Sequence, residues 1–86
     1  MDFELTIISE NGLIYSGKCS SLIIPVEDGL YGIKANHANT AAAVSKGTIT
    51  VKTGKDDEQL CFETGSGFLT FENNRAQIVT DECSPV

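Results

Sequence analysis

The only histidine of this 86-residue chain, His37, is the side chain best suited to acid–base chemistry. It lies in a polar segment between Asn36 and Asn39. An imidazole can activate a serine or cysteine nucleophile, but only where the fold brings the two side chains within hydrogen-bond distance. Sequence spacing does not show such a contact. Three interpretations of His37 therefore stay open: a loop residue bonded to backbone, a contact with a partner protein, or a catalytic base.

Three cysteines, Cys19, Cys61 and Cys83, are the next candidates for chemistry. They are odd in number and widely spaced, and the chain has no Cys-x-x-Cys pair. A structural zinc site needs three or four cysteine or histidine ligands at clustered spacing. The sequence therefore predicts free thiols in a reducing compartment, with no metal and no cofactor.

Two further motifs lack the residues or the spacing that a ligand site requires. Glu27 and Asp28 are adjacent carboxylates, but no calcium-loop spacing surrounds them, so the sequence favours an exposed polar turn. Gly65-Ser66-Gly67 is followed by a strand pattern and lacks the lysine of a phosphate-binding loop. This glycine segment predicts a bulge or a close backbone approach.

Lys55 falls in a hairpin turn of an acidic all-β domain, which is where lipoyl and biotinyl carrier domains hold their modified lysine. Its neighbours are Gly54, Asp56 and Asp57, without the Met-Lys-Met context of those carriers. A carrier domain modified at Lys55 is the alternative function, and a solvated turn lysine is the simpler interpretation.

Short strands dominate the chain that must position these groups. Apolar residues alternate with polar ones in Phe3–Ile7, Thr48–Lys52 and Ala76–Thr80, with turn residues such as Asn73-Asn74 between the strands. Pro25 lacks an N–H, so we expect it to end its strand or to lie at a sheet edge. Residues 34–45 break the pattern and predict an ordered loop with one helical turn. Eight or more strands with frequent turns indicate an antiparallel sandwich or barrel.

The charge of the chain excludes several functions. Twelve acidic residues against six basic ones give a net charge of −6, which disfavours nucleic acid and anionic lipid as partners. No apolar run approaches the roughly 18 residues of a membrane span, and the first residues do not resemble a signal peptide. We expect one domain, residues 1–82, and a short tail, residues 83–86.

Seven short motifs, in order along the chain, resemble one family. They are Leu5–Ser9 with Gly12, Tyr15–Gly17, Leu22–Pro25, Asp28–Ile33, His37-Ala38, Lys46-Gly47 before a strand, and Ser66–Leu69. Together they are similar to the N-terminal β-sandwich domain of the epsilon subunit of F-type proton-translocating ATP synthases. The sequence departs from the family pattern at Lys34-Ala35-Asn36, before the histidine, and at Asn39 after it. The family usually continues into a C-terminal helical hairpin.

The resemblance implies an all-β, antiparallel two-sheet sandwich of about 8–10 strands, acting as a non-catalytic rotor subunit. Its partners would be the gamma subunit and the c-ring, without nucleic acid, membrane insertion, cofactor or small-molecule substrate. By similarity, Ser9 and His37 would face gamma. The loop with Glu27, Asp28, Leu30 and Tyr31 would face the ring, Leu30 standing where many relatives carry an acidic residue.

Two apolar residues on otherwise polar strand faces, Cys61 and Phe68, are further interface candidates, with ordinary packing as the other interpretation. The implied location is the cytoplasmic face of a bacterial plasma membrane, as a peripheral part of the complex.

Overall fold

A computed structural model of the chain describes residues 1–54 and 58–86, which form ten β-strands. The strands are β1 (Phe3–Ser9), β2 (Gly12–Cys19), β3 (Ser21–Val26), β4 (Gly29–Lys34), β5 (Thr40–Val44), β6 (Gly47–Lys52), β7 (Gln59–Thr64), β8 (Gly67–Glu72), β9 (Arg75–Thr80) and β10 (Cys83–Pro85). The first sheet has the order β2-β1-β9-β8-β5, and the second has the order β10-β7-β6-β3-β4. The predicted all-β, two-sheet sandwich is confirmed. The described residues, being strands and turns, include no apolar helix of membrane-spanning length.

The core lies between the two sheets and is built from alternate residues of each strand. Leu5 and Ile7 of β1 and Leu69 and Phe71 of β8 are buried on the first sheet's inner face. They pack against the inner face of the second sheet, which contributes Leu22, Ile24, Ile33, Ile49, Val51 and Phe62. Burying one such side chain contributes about 1.5–3 kcal/mol, so alternation along each strand decides which face turns inward.

One strand pair departs from the antiparallel prediction. β1 and β9 run parallel, with Leu5 beside Ala76 and Ile8 beside Val79. The strand β1 therefore lies between its hairpin partner β2 and the last strand of the β8–β9 hairpin. Alternation predicts which side chains face inward but carries no information on the direction of a neighbouring strand.

The predicted loop at residues 34–45 is wrong in part. Thr40–Val44 forms the edge strand β5 and pairs antiparallel with β8, so that Ala42 lies beside Leu69 and Val44 beside Gly67. Alanine favours helix, but five residues are too few to form a stable isolated helix, and pairing with β8 stabilises the extended strand instead.

The predicted tail at residues 83–86 is also wrong. Cys83–Pro85 forms β10, which pairs with β7, and the N–H of Val86 donates to the carbonyl oxygen of Cys61 at 3.0 Å. Cys83 is buried. Three residues are too few to show a periodicity, so the sequence carried no signal for this strand.

Pro25 lies inside β3, which is not an edge strand, and the register shows why it is tolerated. The pairing of β3 with β6 ends at Ile23, beside Thr50, while pairing with β4 continues to Val26. The Pro25 carbonyl oxygen accepts a bond from the N–H of Ser45 at 2.9 Å, on the side where β6 has separated. A residue's N–H and C=O point to the same side of a strand, so the missing donor faces no ladder partner.

The predictions for the glycine segment and for the last hairpin turn are confirmed. A side chain at Gly67 would overlap the carbonyl oxygen of Val79, which is the close backbone approach expected of Gly65–Gly67. Asn73 and Asn74 join β8 to β9 with φ angles of 52° and 56°. The predicted turn at Thr53–Asp57 includes Lys55, Asp56 and Asp57, which lie outside the described residues.

Candidate functional site

Both ring nitrogens of His37 are engaged inside the chain. Nδ1 lies 2.8 Å from the carbonyl oxygen of Ala38, and Nε2 lies 3.1 Å from the hydroxyl of Tyr31. A carbonyl oxygen only accepts, so this geometry assigns the proton to Nδ1 and leaves Nε2 to accept from Tyr31. Thr40 donates its hydroxyl proton to the same carbonyl oxygen at 2.7 Å, and its Oγ1 lies 3.2 Å from Nδ1, from which it can accept.

The His37 ring also joins the two sheets through aromatic contacts. Its centroid lies 5.7 Å from that of Tyr31 on β4 and 5.8 Å from that of Phe71 on β8, both edge-on. Phe71 in turn packs edge-on against Phe3 at 5.5 Å. We call Tyr31, His37, Thr40 and Phe71 the histidine cluster. Through these contacts His37 closes the gap between the edge strands β4 and β5.

An asparagine pair holds the chain just before the histidine. The backbone N–H of Asn36 donates to Oδ1 of Asn74 at 2.6 Å, and Nδ2 of Asn74 donates to Oδ1 of Asn36 at 2.9 Å. Asn36 has a φ of 65°, in the left-handed region that asparagine tolerates better than most residues. The pair ties the β4–β5 loop to the β8–β9 turn at a point where the sequence departs from the family pattern.

The loop predicted to face a ring is a tight hairpin. Glu27 and Asp28 form a two-residue turn between Val26 and Gly29, which are paired. Leu30 is 73% exposed beside this turn. Tyr31 instead turns inward to His37, so it belongs to the histidine cluster and not to the exposed tip.

Ser9 is buried and does not lie beside His37. Its hydroxyl accepts a hydrogen bond from the N–H of Asn11 at 3.2 Å, within the turn that joins β1 to β2. Phe71 aligns with Ala76, and Ala76 with Leu5, four residues before Ser9. At about 3.3 Å per residue, Ser9 lies about 13 Å further along the strands than the histidine cluster. The structure does not bring the two predicted gamma-facing residues together.

Cys61 and Phe68 lie on opposite outer faces. Phe68, 69% exposed, points outward from β8 in the first sheet. Cys61 is half-buried on β7, and its register partner is Thr50 in the second sheet. A single flat partner surface cannot cover both residues.

Five turns lie at one end of the sandwich, and they contain five of the ten aspartate and glutamate residues that the structure describes, against one lysine. Hydrogen bonds join Ser45 to Pro25, Gly65 to Glu82 and Asp81 to Ser66, which places the adjoining turns at the same end. We call this the acidic end, and its carboxylates are those of Glu10, Glu27, Asp28, Asp81 and Glu82. Lys46 lies in the turn between β5 and β6 at the same end.

The cysteines are free thiols, as predicted, and two are shielded. Burial raises the pKa of the Cys19 thiol to about 12, and the carboxylates of Asp2 and Glu4 add to the rise. Burial also raises the pKa of Cys83. A raised pKa keeps a thiol protonated and unreactive. Residues 1–54 and 58–86 contain no group of three His, Cys, Asp or Glu side chains placed to hold a metal ion.

Residues 2–86 match the family described as "ATP synthase, Delta/Epsilon chain, beta-sandwich domain". The chain belongs to this family. The ATP synthase epsilon chain of Chlorobium limicola is 32% identical over 82 residues, which are 95% of this chain and 92% of that protein. The ATP synthase epsilon chain of Leptospira interrogans serovar Lai is 32% identical over 78 residues, 91% of this chain and 60% of that protein. The chain thus spans only part of the length of some relatives and nearly all of others.

Solved structures share the fold. A chain of the mitochondrial ATP synthase of Euglena gracilis, from an OSCP/F1/c-ring structure in rotational state 1, matches with a TM-score of 0.90 at 20% identity. The match covers 98% of this chain and 53% of that one. A chain of the central stalk/c-ring structure of Tetrahymena thermophila mitochondrial ATP synthase matches with a TM-score of 0.77 at 13% identity, covering 93% of this chain and 63% of that one.

Proposed function

We propose that this β-sandwich is a non-catalytic rotor component of an F-type ATP synthase, bound to the gamma subunit and to the c-ring. The observation that carries the proposal is the family match across residues 2–86. Relatives that are ATP synthase epsilon chains, and a fold shared with chains of rotary ATP synthase assemblies, support it. The role would couple ion-driven rotation to ATP synthesis or hydrolysis.

The architecture suits the transmission of load between two partners. Each sheet is a continuous ladder of backbone hydrogen bonds, and the two sheets share one buried core. The histidine cluster and the Asn36–Asn74 pair add cross-links between different strands and turns. Asn36 and Asn74 are 38 positions apart in the sequence. Close-packed interiors are poorly compressible, so a torque applied to one face reaches the other with little deformation.

The tip of the β3–β4 hairpin, at the acidic end, is the part proposed to face the ring. Glu27 and Asp28 project at the tip of the β3–β4 hairpin, with the exposed Leu30 beside them. Carboxylates at the tip would orient the domain on basic polar loops, which affects association and register more than affinity. Leu30 would add an apolar contact in place of the acidic residue of many relatives. The complex would lie at a membrane surface, here the cytoplasmic face of a bacterial membrane, with this domain peripheral.

The roles proposed for Ser9 and His37 at gamma are indirect. Ser9 shapes the β1–β2 turn through its bond to Asn11, so this turn, and not the serine hydroxyl, would touch gamma. His37 fixes the β4–β5 loop through its bonds to Tyr31 and Ala38. A contact with gamma would then involve the loop that His37 supports.

Co-purification with the gamma subunit of the same organism tests the proposal. The chain is co-expressed with affinity-tagged gamma, and we expect a complex of equal stoichiometry on size-exclusion chromatography. The control is gamma co-expressed with an unrelated acidic β-sandwich of similar size. Failure to recover a complex while gamma itself is soluble and folded would contradict the proposal.

A further inference from the structure

Gly32, in the edge strand β4, is a glycine that the fold of the chain itself does not require. It pairs with Ile23 in an uninterrupted antiparallel register, so no bulge accounts for it. Its φ lies outside the left-handed region. A Cβ added to it would meet no heavy atom of the described residues within 4 Å, apart from its neighbours in the chain. A glycine inside a strand weakens it, and where no bulge, bend or internal approach explains it, a ligand that comes close to the backbone does.

A groove of about 450 Å³ opens over Gly32 on the outer face of the second sheet. Its lining is largely apolar, with Ile23 beside Gly32 and the ring of His37 as a further wall. Both nitrogens of that ring are bonded inside the chain, so His37 contributes mainly carbon surface. The volume lies within the range of small-molecule sites, which is about 300–1,000 Å³.

Two lysines and a serine line the same groove. The register places Ser21 beside Lys34 on one side and beside Lys52 on the other, and both lysines are exposed. Within residues 1–54 and 58–86, neither lysine makes an ion pair and the Ser21 hydroxyl has no hydrogen-bond partner. Neighbouring strands lie about 4.8 Å apart, so the two lysine Cα atoms are about 10 Å apart. Their long, flexible stems let both ammonium groups reach one anion above Ser21.

The charges of the groove favour an anion as its occupant. None of the described residues that line it is a carboxylate, although the whole chain carries a net charge of −6. Three donors suit the two oxygens of a carboxylate, which accept up to about four hydrogen bonds. The apolar lining suits an apolar body attached to that carboxylate.

The length of the groove favours a small molecule over a segment of a partner protein. It spans positions 21–23 of β3 and 32–34 of β4. At about 3.3 Å per residue this is about 7 Å along the strands. A helix of two turns is already about 11 Å long, so a protein helix would extend well beyond the lysines and the notch at Gly32.

The outer face of the first sheet carries an exposed surface of a different kind. The register sets five apolar residues side by side, one from each strand, and we call them the apolar row: Leu13, Ile8, Val79, Phe68 and Ala43. Phe68 is 69% exposed. The row has no cation, and the acidic end borders it. It therefore serves as an internal control, since an apolar ligand without a charge requirement would bind there as well.

We propose that the groove over Gly32 binds a small amphipathic carboxylate. The ammonium groups of Lys34 and Lys52 and the hydroxyl of Ser21 donate to the carboxylate oxygens. The apolar body of the ligand lies over Gly32 and against Ile23. This site is independent of the function proposed above, because every group that forms it belongs to this chain.

Amide chemical-shift titration of the isotope-labelled chain with decanoate tests the proposal. Decanoate should cause saturable shifts of the amides of Ser21, Gly32 and Lys34. Acetate lacks the apolar body and 1-decanol lacks the charge. Each should bind about tenfold more weakly or worse, because both the charged hydrogen bonds and the apolar contact contribute to affinity.

Variants of the groove separate its two parts. Gly32→Val fills the notch, and the open space at this position and the strand preference of valine keep the fold intact. It should weaken decanoate binding by about tenfold or more, and so should Lys34→Gln combined with Lys52→Gln. Lys46→Gln makes the same change of charge at the acidic end. It should bind within about twofold of wild type, because exposed charges more than about 10 Å away are screened by salt. Gly32→Ala replaces Gly32→Val if circular dichroism shows the latter to be unfolded.

Three results would overturn the inference. One is the absence of any saturable shift with decanoate. Another is shifts centred on Phe68 and Val79, which would place binding on the apolar row. The third is equal affinity of wild type, the notch variant and the lysine variant. Co-purification with gamma tests the proposed function separately, so either proposal can fail without the other.

Discussion

The histidine cluster and the apolar row differ in how many of their contacts are made within the chain. His37 is the only imidazole in the sequence, yet both of its ring nitrogens are hydrogen-bonded within the chain and its ring packs against Tyr31 and Phe71. Phe68 and Val79 carry no reactive group, yet they leave large apolar surfaces in water. The polar groups of the histidine cluster hold the domain together, whereas the exposed apolar side chains make little contact within it.

The sharpest form of this comparison uses two phenylalanines of β8. Phe71→Ala removes a buried ring that contacts Phe3 and His37, and we expect a loss of about 3–5 kcal/mol in the free energy of unfolding. Phe68→Ala, three residues earlier and exposed, should change it by about 0.5 kcal/mol or less. Urea unfolding of both variants measures the difference. Equal losses would contradict the assignment of Phe68 to an unpartnered surface.

Substitution of His37 should have the next largest effect. His37→Ala removes the bonds to Tyr31 and Ala38 and leaves a gap against Phe71, so we expect a loss of about 2–3 kcal/mol. Tyr31→Phe removes only the hydroxyl and should cost about 1 kcal/mol. Thermal and urea unfolding measure both. A His37→Ala variant as stable as wild type would show that this ring does not join the sheets.

The asparagine pair should contribute less. Asn36→Ala removes a side-chain acceptor and places alanine at a φ of 65°, and we expect a loss of about 1–2 kcal/mol. Asn36→Gly keeps the backbone conformation accessible and loses only the side-chain bond, so it separates the two contributions. If the two variants were equally stable, the left-handed backbone at Asn36 would carry no cost for alanine.

The last prediction concerns how the stability of the domain depends on pH. The buried thiols have the smallest effect on this dependence near neutral pH. In the folded chain the pKa of Cys19 is raised to about 12 from the ordinary value of 9.0, so folding favours the protonated thiol. Its contribution to stability is complete below pH 9 and is lost as the pH rises from 9 towards 12. Burial also raises the pKa of Tyr15. Urea unfolding between pH 8 and 11 should show falling stability, with a shallower fall in Cys19→Ala; identical slopes would contradict the shielding of Cys19.

Much of the fold was predictable because burial in a sandwich follows alternation along each strand. The parallel pairing of β1 with β9 and the strands β5 and β10 were not, since they depend on pairing between distant segments or on runs too short to show a period. The apolar row had two signals in the sequence. Phe68 is an apolar residue on an otherwise polar strand face. Ile8 follows Glu4 and Thr6 at the outward positions of β1, where a polar residue is the rule.

The histidine cluster could be located in the sequence but not interpreted. The residues that satisfy His37, such as Tyr31 and Phe71, come from two other strands, and no local pattern links them to it. The same limit applies to Asn36 and Asn74, which meet across 38 positions. Roles taken from the family for Ser9 and His37 remain predictions, and the structure adds that the two lie at different levels of the sandwich.

Thiol reactivity of the native chain tests the comparison between the apolar row and the buried side chains most directly. Cys61 lies on the second sheet's outer face, while Cys19 and Cys83 are buried with raised pKa values, so alkylation of the native fold reports mainly on Cys61. A Phe68→Cys variant adds one thiol in the apolar row. Position 68 should be alkylated faster than the half-buried Cys61, because an exposed thiol reacts faster than a shielded one. A thiol at position 68 that reacts as slowly as Cys19 and Cys83 would contradict the account.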